Sequence, residues 1–118
     1  MKDIKNILKK QILTLDGAMG SLIQTHSLSE LDYRSEMLSN HPQDLKGNHY
    51  ILSLTRPDII HNIHSLYIEA GADIIETNTF NANAISQSDY GLEHLVYQLN
   101  LESAKIAKNV TRAVTEKS

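Results

Sequence analysis

The chain has 118 residues, of which 41% are hydrophobic and 21% charged, as in an ordinary small globular domain. The formal net charge of −3 gives no general basic surface for nucleic acid, and no apolar run approaches the roughly 20 residues of a membrane span. Cysteine is absent, which excludes disulfides and thiolate metal ligands within this sequence. No secretory signature follows the basic start, so we expect a cytoplasmic protein.

Short elements separated by turns occupy the first half of the sequence. Residues 3–10 predict a short amphipathic helix, residues 12–15 predict a strand, and residues 18–24 predict one or two helical turns after Gly17. Residues 25–54 are polar and weakly periodic, which predicts a long irregular excursion. Such a loop is uncommon and is usually functional or disordered.

The second half of the sequence contains two clearer helices. Thr55 is a candidate N-cap, Pro57 suits the first turn of a helix, and Gly71 marks its end. The apolar stripe of this helix consists of Ile59, Ile60, Ile63, Leu66, Tyr67 and Ala70. A strand is predicted directly afterwards at residues 73–75, and a second striped helix is predicted at residues 93–114.

The order strand, helix, strand predicts a parallel sheet with a right-handed crossover, and therefore an α/β fold. Two parallel strands leave open edges and cannot bury both of their faces. We therefore expect the helix at residues 57–70 to pack on a sheet wider than this sequence can build. On this basis the chain contains the opening units of a larger barrel or open sheet.

Polar side chains follow both predicted strands. Asp16 and Gly17 follow the first strand, and Glu76, Thr77 and Asn78 follow the second. Because α/β folds gather their chemistry at such strand ends, we expect one polar site built from both. A carboxylate there can bind an ammonium group, and Thr or Asn can bind a carboxylate. Structural alternatives remain open, since Asp16 can cap the helix that follows it and Glu76 can pair with a basic residue.

Four segments of the sequence match a known family. They are LDGAMGS at residues 15–21, LKGNHYILSLTRPDII at 45–60, EAGADIIETNTFNA at 69–82 and DYGLE at 89–93. In this order they closely resemble the start of the homocysteine-binding domain of cobalamin-dependent methionine synthases. Betaine– and S-methylmethionine–homocysteine methyltransferases share the DG pair and the polar strand end, but LKGN and ETNTFNA favour the cobalamin-dependent family.

The resemblance implies a fold and a reaction. The fold would be a (β/α)8 TIM barrel, with residues 1–118 as the N-terminal portion that holds its first two βα units. The reaction would be methyl transfer from methylcobalamin to homocysteine, giving methionine. In that family a zinc ion held by three cysteines binds the sulfur, but those cysteines lie in later strands. The resemblance therefore places neither zinc nor cobalamin on residues of this chain, and we expect the chain to be inactive alone.

The resemblance also implies which residues bind substrate. Asp16, Gly17, Glu76, Thr77 and Asn78 would hold the amino-acid end of homocysteine, with no catalytic residue and no metal ligand among them. The implied partners are homocysteine, the remainder of the barrel, and the cobalamin and folate domains. The competing hypothesis is a non-catalytic (βα)2 binding or assembly module that docks on a partner through its open sheet edges.

Two further interpretations, a metal site and a phosphate-binding unit, are disfavoured. His61 and His64 have the HxxH spacing of a metal site, but we place both at the flank of the helix or in solvent, without an acidic partner. The histidines at positions 26, 41 and 49 are interpreted as exposed loop residues. A phosphate-binding unit is disfavoured because neither GxGxxG nor GxxxxGK[ST] follows a predicted strand.

Overall fold

Helices dominate the architecture in the computed structural model, which describes residues 3–117. The α helices of this range are α1 (Ile4–Leu8), α2 (Met19–Gln24), α3 (Glu30–Arg34), α4 (Leu52–Thr55), α5 (Pro57–Glu69), α6 (Ala84–Ser88) and α7 (Val96–Lys117). Short 3-10 helices at His49–Ile51 and Glu93–Leu95 lead directly into α4 and α7. The helices predicted near the N-terminus, after Gly17, after Thr55 and at the C-terminal end of the sequence are confirmed.

The two predicted strands do not form a sheet. Within residues 3–117, β-structure is limited to one isolated parallel bridge between Leu15 and Ile74. The Ile74 amide donates to the Thr14 carbonyl at 3.2 Å, and the Asp16 amide donates to the Ile74 carbonyl at 2.9 Å. The prediction of an α/β fold made of the first two βα units of a TIM barrel is therefore wrong for this structure.

The physical reason for this correction lies in the surroundings of the two segments that this bridge joins, residues 12–16 and 74–80, called the paired segments. A parallel strand is stable when neighbours pair its edges and cover both of its faces. Here Ile12 is 93% exposed and Leu15 is 55% exposed, so burial contributes little to holding the two segments in strand geometry. Pairing consequently stops after one bridge, and helix α5 buries its apolar side mainly against other helices.

The apolar core lies among α4, α5 and α7, which pack against one another, while α2 packs on α5 and α3 on α4. The fully buried aliphatic side chains of these three helices include Leu52, Ile60, Ile63, Leu99 and Val110. Each such burial stabilises the fold by about 1.5–3 kcal/mol. The predicted stripe of α5 is confirmed at Ile59, Ile60 and Ile63, whereas Leu66 is 53% exposed.

Backbone geometry fixes the C-terminal end of α5. Gly71 has a φ of +110° and its amide donates to the Ile68 carbonyl, while the Ala72 amide donates to the Tyr67 carbonyl, both at 3.0 Å. This is the Schellman arrangement, and the predicted stop at Gly71 is confirmed. The predicted Thr55 cap is wrong, because Thr55 belongs to α4 and its hydroxyl donates to the carbonyl of residue 51.

The segment at residues 25–54 is ordered by two charged side chains rather than left irregular. The Glu30 carboxylate accepts the amides of Leu45 and Lys46 at 2.8 Å and pairs with the Arg34 guanidinium at 2.8 Å. Partial desolvation opposes ionisation, but these hydrogen bonds and the guanidinium hold the pKa of Glu30 below its usual value. Arg34 also donates to the Gln43 carbonyl at 2.8 Å, which closes the segment on itself.

Within residues 3–117, no helix combines the length and the hydropathy needed to cross a bilayer.

Candidate functional site

The Leu15–Ile74 bridge brings together the two polar segments that follow it. The Glu76 amide donates to Oδ2 of Asp16 at 3.0 Å, although the two residues are 60 positions apart in sequence. A cavity of about 210 Å³ opens at this junction. Its walls include all five residues predicted to bind substrate, namely Asp16, Gly17, Glu76, Thr77 and Asn78. The remaining wall consists of Met19, Gly20, Tyr50, Thr79 and Phe80.

Asp16 and Glu76 are the two carboxylates of the cavity. Asp16 does not cap a helix and Glu76 does not pair with a basic residue, the two structural alternatives left open by the sequence. Helix α2 has Ala18 as its N-cap and receives no side-chain capping bond, so Asp16 does not cap it. Oδ1 of Asp16 accepts no hydrogen bond from residues 3–117, and Glu76 forms no ion pair within that range. Both acidic groups therefore keep acceptor oxygens that a ligand can use.

Gly17 is required by packing against α5. A Cβ atom at Gly17 would lie 2.9 Å from the Tyr67 hydroxyl oxygen, closer than Cβ contacts normally allow. The same hydroxyl donates to the Ala18 carbonyl at 2.6 Å. Tyr67 therefore fixes the turn between the first paired segment and α2, and a side chain at Gly17 would displace it.

Thr77 and Asn78 have different surroundings despite being neighbours. Thr77 is exposed on the cavity wall, and its hydroxyl lies 2.6 Å from the Thr79 hydroxyl. Asn78 is 5% exposed, and its Nδ2 donates to the His49 carbonyl at 3.0 Å. The Ser103 hydroxyl of α7 donates to the Asn78 carbonyl at 3.3 Å. Asn78 thus ties the cavity to the helical core, and its amide nitrogen is already occupied by the protein.

One titratable residue of α5 is buried, in contrast to the prediction from the sequence. His64 is fully buried on α5, and neither of its ring nitrogens has a hydrogen-bond partner among the described residues. Burial lowers the pKa of His64, the charge of Asp16 acts to raise it, and His61 adds to the lowering. The prediction of a flanking or exposed side chain is wrong for His64 and confirmed for His61, which is exposed.

The three histidines within residues 25–54 differ from one another in exposure and contacts. His26 is exposed, which confirms the prediction for that residue. Nε2 of His41 lies 2.7 Å from the Tyr90 carbonyl, so this ring is held rather than free. His49 is half-buried and stacks on Tyr33 with 6.5 Å between ring centroids, and burial lowers the pKa of His49. The exposed-loop interpretation is wrong for His41 and His49.

The donor set does not fit the zinc ion that the sequence resemblance implies. Among residues 3–117, no three or more His, Asp or Glu side chains are grouped to hold a metal ion. The sequence contains no cysteine. Thiolate, imidazole and carboxylate groups are the usual zinc ligands, and three or four must converge. The described residues therefore do not provide the donor set of a zinc site.

The sequence matches one protein family over most of its length. The homocysteine S-methyltransferase family model matches residues 13–118, which are 106 of the 118 residues. The chain belongs to the homocysteine S-methyltransferase family. The match includes residues 13–16 and 74–80 of the paired segments and every residue of the cavity wall. The resemblance seen in the sequence is confirmed at the level of the family, and so is the general reaction kind, methyl transfer.

Proposed function

We propose that this chain holds the amino-acid end of homocysteine in an enzyme that transfers a methyl group from methylcobalamin to homocysteine sulfur. The observation that carries the proposal is the cavity in which Asp16, Glu76 and Thr77 converge, in a chain of this family. Methionine would be the product. Binding and orientation of a substrate contribute a large part of catalysis, and that is the contribution proposed for these residues.

The ammonium group of homocysteine is assigned to Asp16. Oδ2 of Asp16 is held by the Glu76 amide, which fixes the orientation of the carboxylate, and Oδ1 remains available. An ammonium group has three donors and no acceptor, so a carboxylate is its natural partner. A hydrogen bond of this charged kind contributes about 1.5–3 kcal/mol. Glu76 adds a second negative charge on the same wall.

The carboxylate of homocysteine is assigned to the hydroxyl side of the cavity. In the Thr77–Thr79 pair one hydroxyl donates to the other, so one hydroxyl hydrogen remains for a ligand oxygen. Gly17 presents only backbone to the cavity, which leaves room for the carbon chain of the ligand. Asn78 is given a supporting role, because its Nδ2 is committed to the His49 carbonyl.

The sulfur chemistry is assigned to parts of the enzyme outside these 118 residues. Since this sequence has no cysteine, we propose that the metal-binding remainder of the homocysteine-binding domain and the cobalamin and folate domains meet this chain in the cytoplasm. In a parallel bridge the peptide groups of Leu15 point away from Ile74, and the Leu15 amide has no partner within residues 3–117. This edge is the proposed point of contact. The purified chain alone is predicted to show no methyl transfer.

A second candidate function is a non-catalytic assembly module. The exposure of Ile12 and Leu15 beside the unpaired amide favours it, because such an edge can accept a strand from another chain. Sedimentation velocity separates the two candidates when it is combined with ligand titration. Stable self-association without homocysteine binding would favour the module, whereas homocysteine binding to the monomer would favour the substrate-binding function.

The proposed function is tested by mapping the ligand on the chain itself. An NMR titration of the ¹⁵N-labelled chain with reduced L-homocysteine should move the amide signals of residues 16–20 and 76–80. The Asp16→Asn and Glu76→Gln variants should weaken binding, and Asp44→Asn should not, because the Asp44 side chain is 95% exposed. Binding that moves signals elsewhere, or that all three variants leave unchanged, would contradict the assignment.

A further inference from the structure

A second cavity, of about 390 Å³, lies next to the candidate binding cavity. Its wall comes from residues 47–50 and from residues of the segment 81–90. Tyr50 belongs to the walls of both cavities. Gly20 of the first wall also approaches His49 of the second, since a Cβ atom added at Gly20 would lie 3.2 Å from Nδ1 of His49. The proposed methyl-transfer function leaves this second cavity without a role.

Two buried amide side chains form the inner part of the second cavity's wall. Asn48 is 2% exposed and Gln87 of α6 is 1% exposed. Nδ2 of Asn48 donates to Oε1 of Gln87 at 2.7 Å, and Nε2 of Gln87 donates back to Oδ1 of Asn48 at 3.3 Å. Nε2 of Gln87 also donates to the Asn81 carbonyl at 3.1 Å, which fixes the orientation of both amides.

One hydrogen of this amide pair is left without an acceptor. A primary amide nitrogen carries two hydrogens. Gln87 uses both of them, whereas Asn48 uses only the one that it donates to Gln87, and no other acceptor for Nδ2 of Asn48 exists within residues 3–117. A buried donor without a partner is unfavourable. Because Asn48 is almost fully buried, the cavity is the place from which an acceptor can reach it.

The rest of the wall provides both donors and acceptors. The side-chain hydroxyls of Tyr50, Ser86 and Tyr90 form no hydrogen bond within the described part of the chain. The Asp89 carboxylate and the side-chain amide of Asn81 are likewise unbonded there. The second cavity can therefore donate hydrogen bonds to a carbonyl oxygen and accept hydrogen bonds from an N–H group of the same ligand.

The charge of the wall selects a neutral ligand. Asp89 is negative, and no lysine or arginine lines the cavity among residues 3–117. Burial lowers the pKa of His49, so its imidazole is neutral at pH 7.5. An anion would meet the Asp89 charge without a compensating cation. An ammonium group has no acceptor atom and would leave the Asn48 hydrogen unpaired. A primary carboxamide has a carbonyl acceptor and two N–H donors in one neutral group, and it fits both requirements.

We propose that the second cavity is a binding site for a neutral primary carboxamide. The carbonyl oxygen of the ligand accepts from Nδ2 of Asn48 and from the wall hydroxyls, and its NH2 group donates to the Asp89 carboxylate. Two sources have this chemistry, namely a free small amide and the amide side chains on the rim of a corrin. The inference does not depend on homocysteine binding, because no residue assigned to homocysteine lines the second cavity.

The first test compares two ligands of nearly the same shape. The ¹⁵N-labelled chain is titrated at pH 7.5 with propionamide and, separately, with propionate, and binding is followed by NMR. Propionamide should move the amide signals of residues 47–50 and 81–90, and propionate should not. Equal binding of the two ligands would overturn the proposal, and so would propionamide shifts confined to other residues.

The second test removes single groups of the wall. Tyr90→Phe and Ser86→Ala should each weaken propionamide by a factor on the order of three to ten, which corresponds to one hydrogen bond. Tyr97→Phe is the matched control and should leave affinity unchanged, because Tyr97 is 77% exposed and lies outside this wall. Asp89→Asn removes the negative charge and should allow propionate to bind. Unchanged propionamide affinity in Ser86→Ala together with continued exclusion of propionate by Asp89→Asn would overturn the proposal even if Tyr90→Phe does not fold.

A third titration, with cyanocobalamin, distinguishes the two sources. If cyanocobalamin moves the signals that propionamide moves, the carboxamide is carried by a corrin, and if it does not, the ligand is a free amide. The proposed function can fail separately, since absence of L-homocysteine binding would leave the propionamide titration unaffected. Conversely, absence of propionamide binding would overturn this inference and leave the homocysteine assignment in place.

Discussion

Helices α4, α5 and α7 and the paired segments at residues 12–16 and 74–80 have opposite environments. In the helical region, Ile60, Ile63 and Leu99 are completely buried. In the paired segments, Ile12 is 93% exposed and Leu15 is 55% exposed. The helical region is thus held by apolar packing, whereas the paired segments are held by a few hydrogen bonds across one bridge.

The difference arises from where each kind of element finds its hydrogen-bond partners. A helix satisfies its backbone groups within its own segment, and one apolar stripe is enough to dock it. A parallel strand takes all of its backbone partners from distant segments. The candidate binding cavity lies on the weakly held side, and Asn78 connects it to the helical core through bonds to the His49 carbonyl and from Ser103.

The largest expected effect tests the contrast in burial. Ile63→Ala removes a fully buried side chain and should lower the free energy of unfolding by about 2–5 kcal/mol. Ile12→Ala removes a side chain that is 93% exposed and should change it by less than about 0.5 kcal/mol. Urea unfolding followed by circular dichroism measures both. Equal losses in the two variants would show that the paired segments are as strongly packed as the helical core.

The next effect concerns the connection between the two regions. Asn78→Ala removes the hydrogen bond to the His49 carbonyl and leaves buried acceptors unpaired, which should cost about 1–3 kcal/mol of stability. Asn81→Ala alters an exposed side chain and is the matched control. Thermal unfolding of the two variants gives the comparison. A fully stable Asn78→Ala variant would mean that the cavity is not tied to the core through this residue.

Acid should weaken the helical region before it protonates the carboxylates. Burial lowers the pKa of His49 and His64 from 6.5, so the unfolded chain binds more protons than the folded chain just below that pH. Stability is therefore complete above pH 6.5 and is lost as pH falls, by at most about 1.4 kcal/mol per pH unit for each histidine. The pKa of Glu30 is lowered from 4.5, so a further loss begins only near that pH.

Urea unfolding at pH 7.5, 6.5 and 5.5 measures this dependence. His61→Gln should keep the slope, because His61 is exposed. Constant stability across the three pH values would contradict the burial of the two imidazoles in the neutral form.

The smallest expected effect concerns the end of α5, where the chain leaves the helical region. Gly71 has a φ of +110°, and an added Cβ atom would meet no other atom within 4 Å. Gly71→Ala therefore tests backbone conformation alone and should cost on the order of 1 kcal/mol. Gly71→Asn should cost less, because asparagine tolerates positive φ better than alanine does. The thermal midpoints of the two variants provide the measurement.

Local sequence patterns predicted the helices but not the state of the paired segments. The stripe through Ile59, Ile60 and Ile63 and the stop at Gly71 are readable because their physics is confined to neighbouring residues. Residues 12–15 have the composition of a strand. Whether they form a sheet depends on strands that pair with their edges and on elements that cover their faces, and a local pattern does not contain this information. The Glu30–Arg34 organisation was missed for the same reason, since Glu30 bonds to amides 15 and 16 positions away.

The candidate site was predictable as a set of positions but not in its internal geometry. Asp16 and Glu76 were recognised from the polar ends of the two segments, and the structure places them in direct contact through the Glu76 amide. The hydrogen bonds that hold Asn78 in the core could not be predicted from the residues next to it in the sequence. His64 was missed although a signal existed, because it lies four residues after Ile60 and three before Tyr67 on the same face of α5.

The central claim is that Asp16 receives the ammonium group of homocysteine, and a four-way binding measurement tests it most directly. Calorimetry at pH 7.5 would compare the unmodified chain and Asp16→Asn, each with L-homocysteine and with 4-mercaptobutanoate, an analogue that lacks the ammonium group. Asparagine keeps an oxygen for the Glu76 amide, removes the charge and replaces the second carboxylate oxygen with an NH2 donor. We predict that Asp16→Asn weakens L-homocysteine by about tenfold or more and leaves 4-mercaptobutanoate nearly unchanged. Equal weakening of both ligands, or of neither, would contradict the claim.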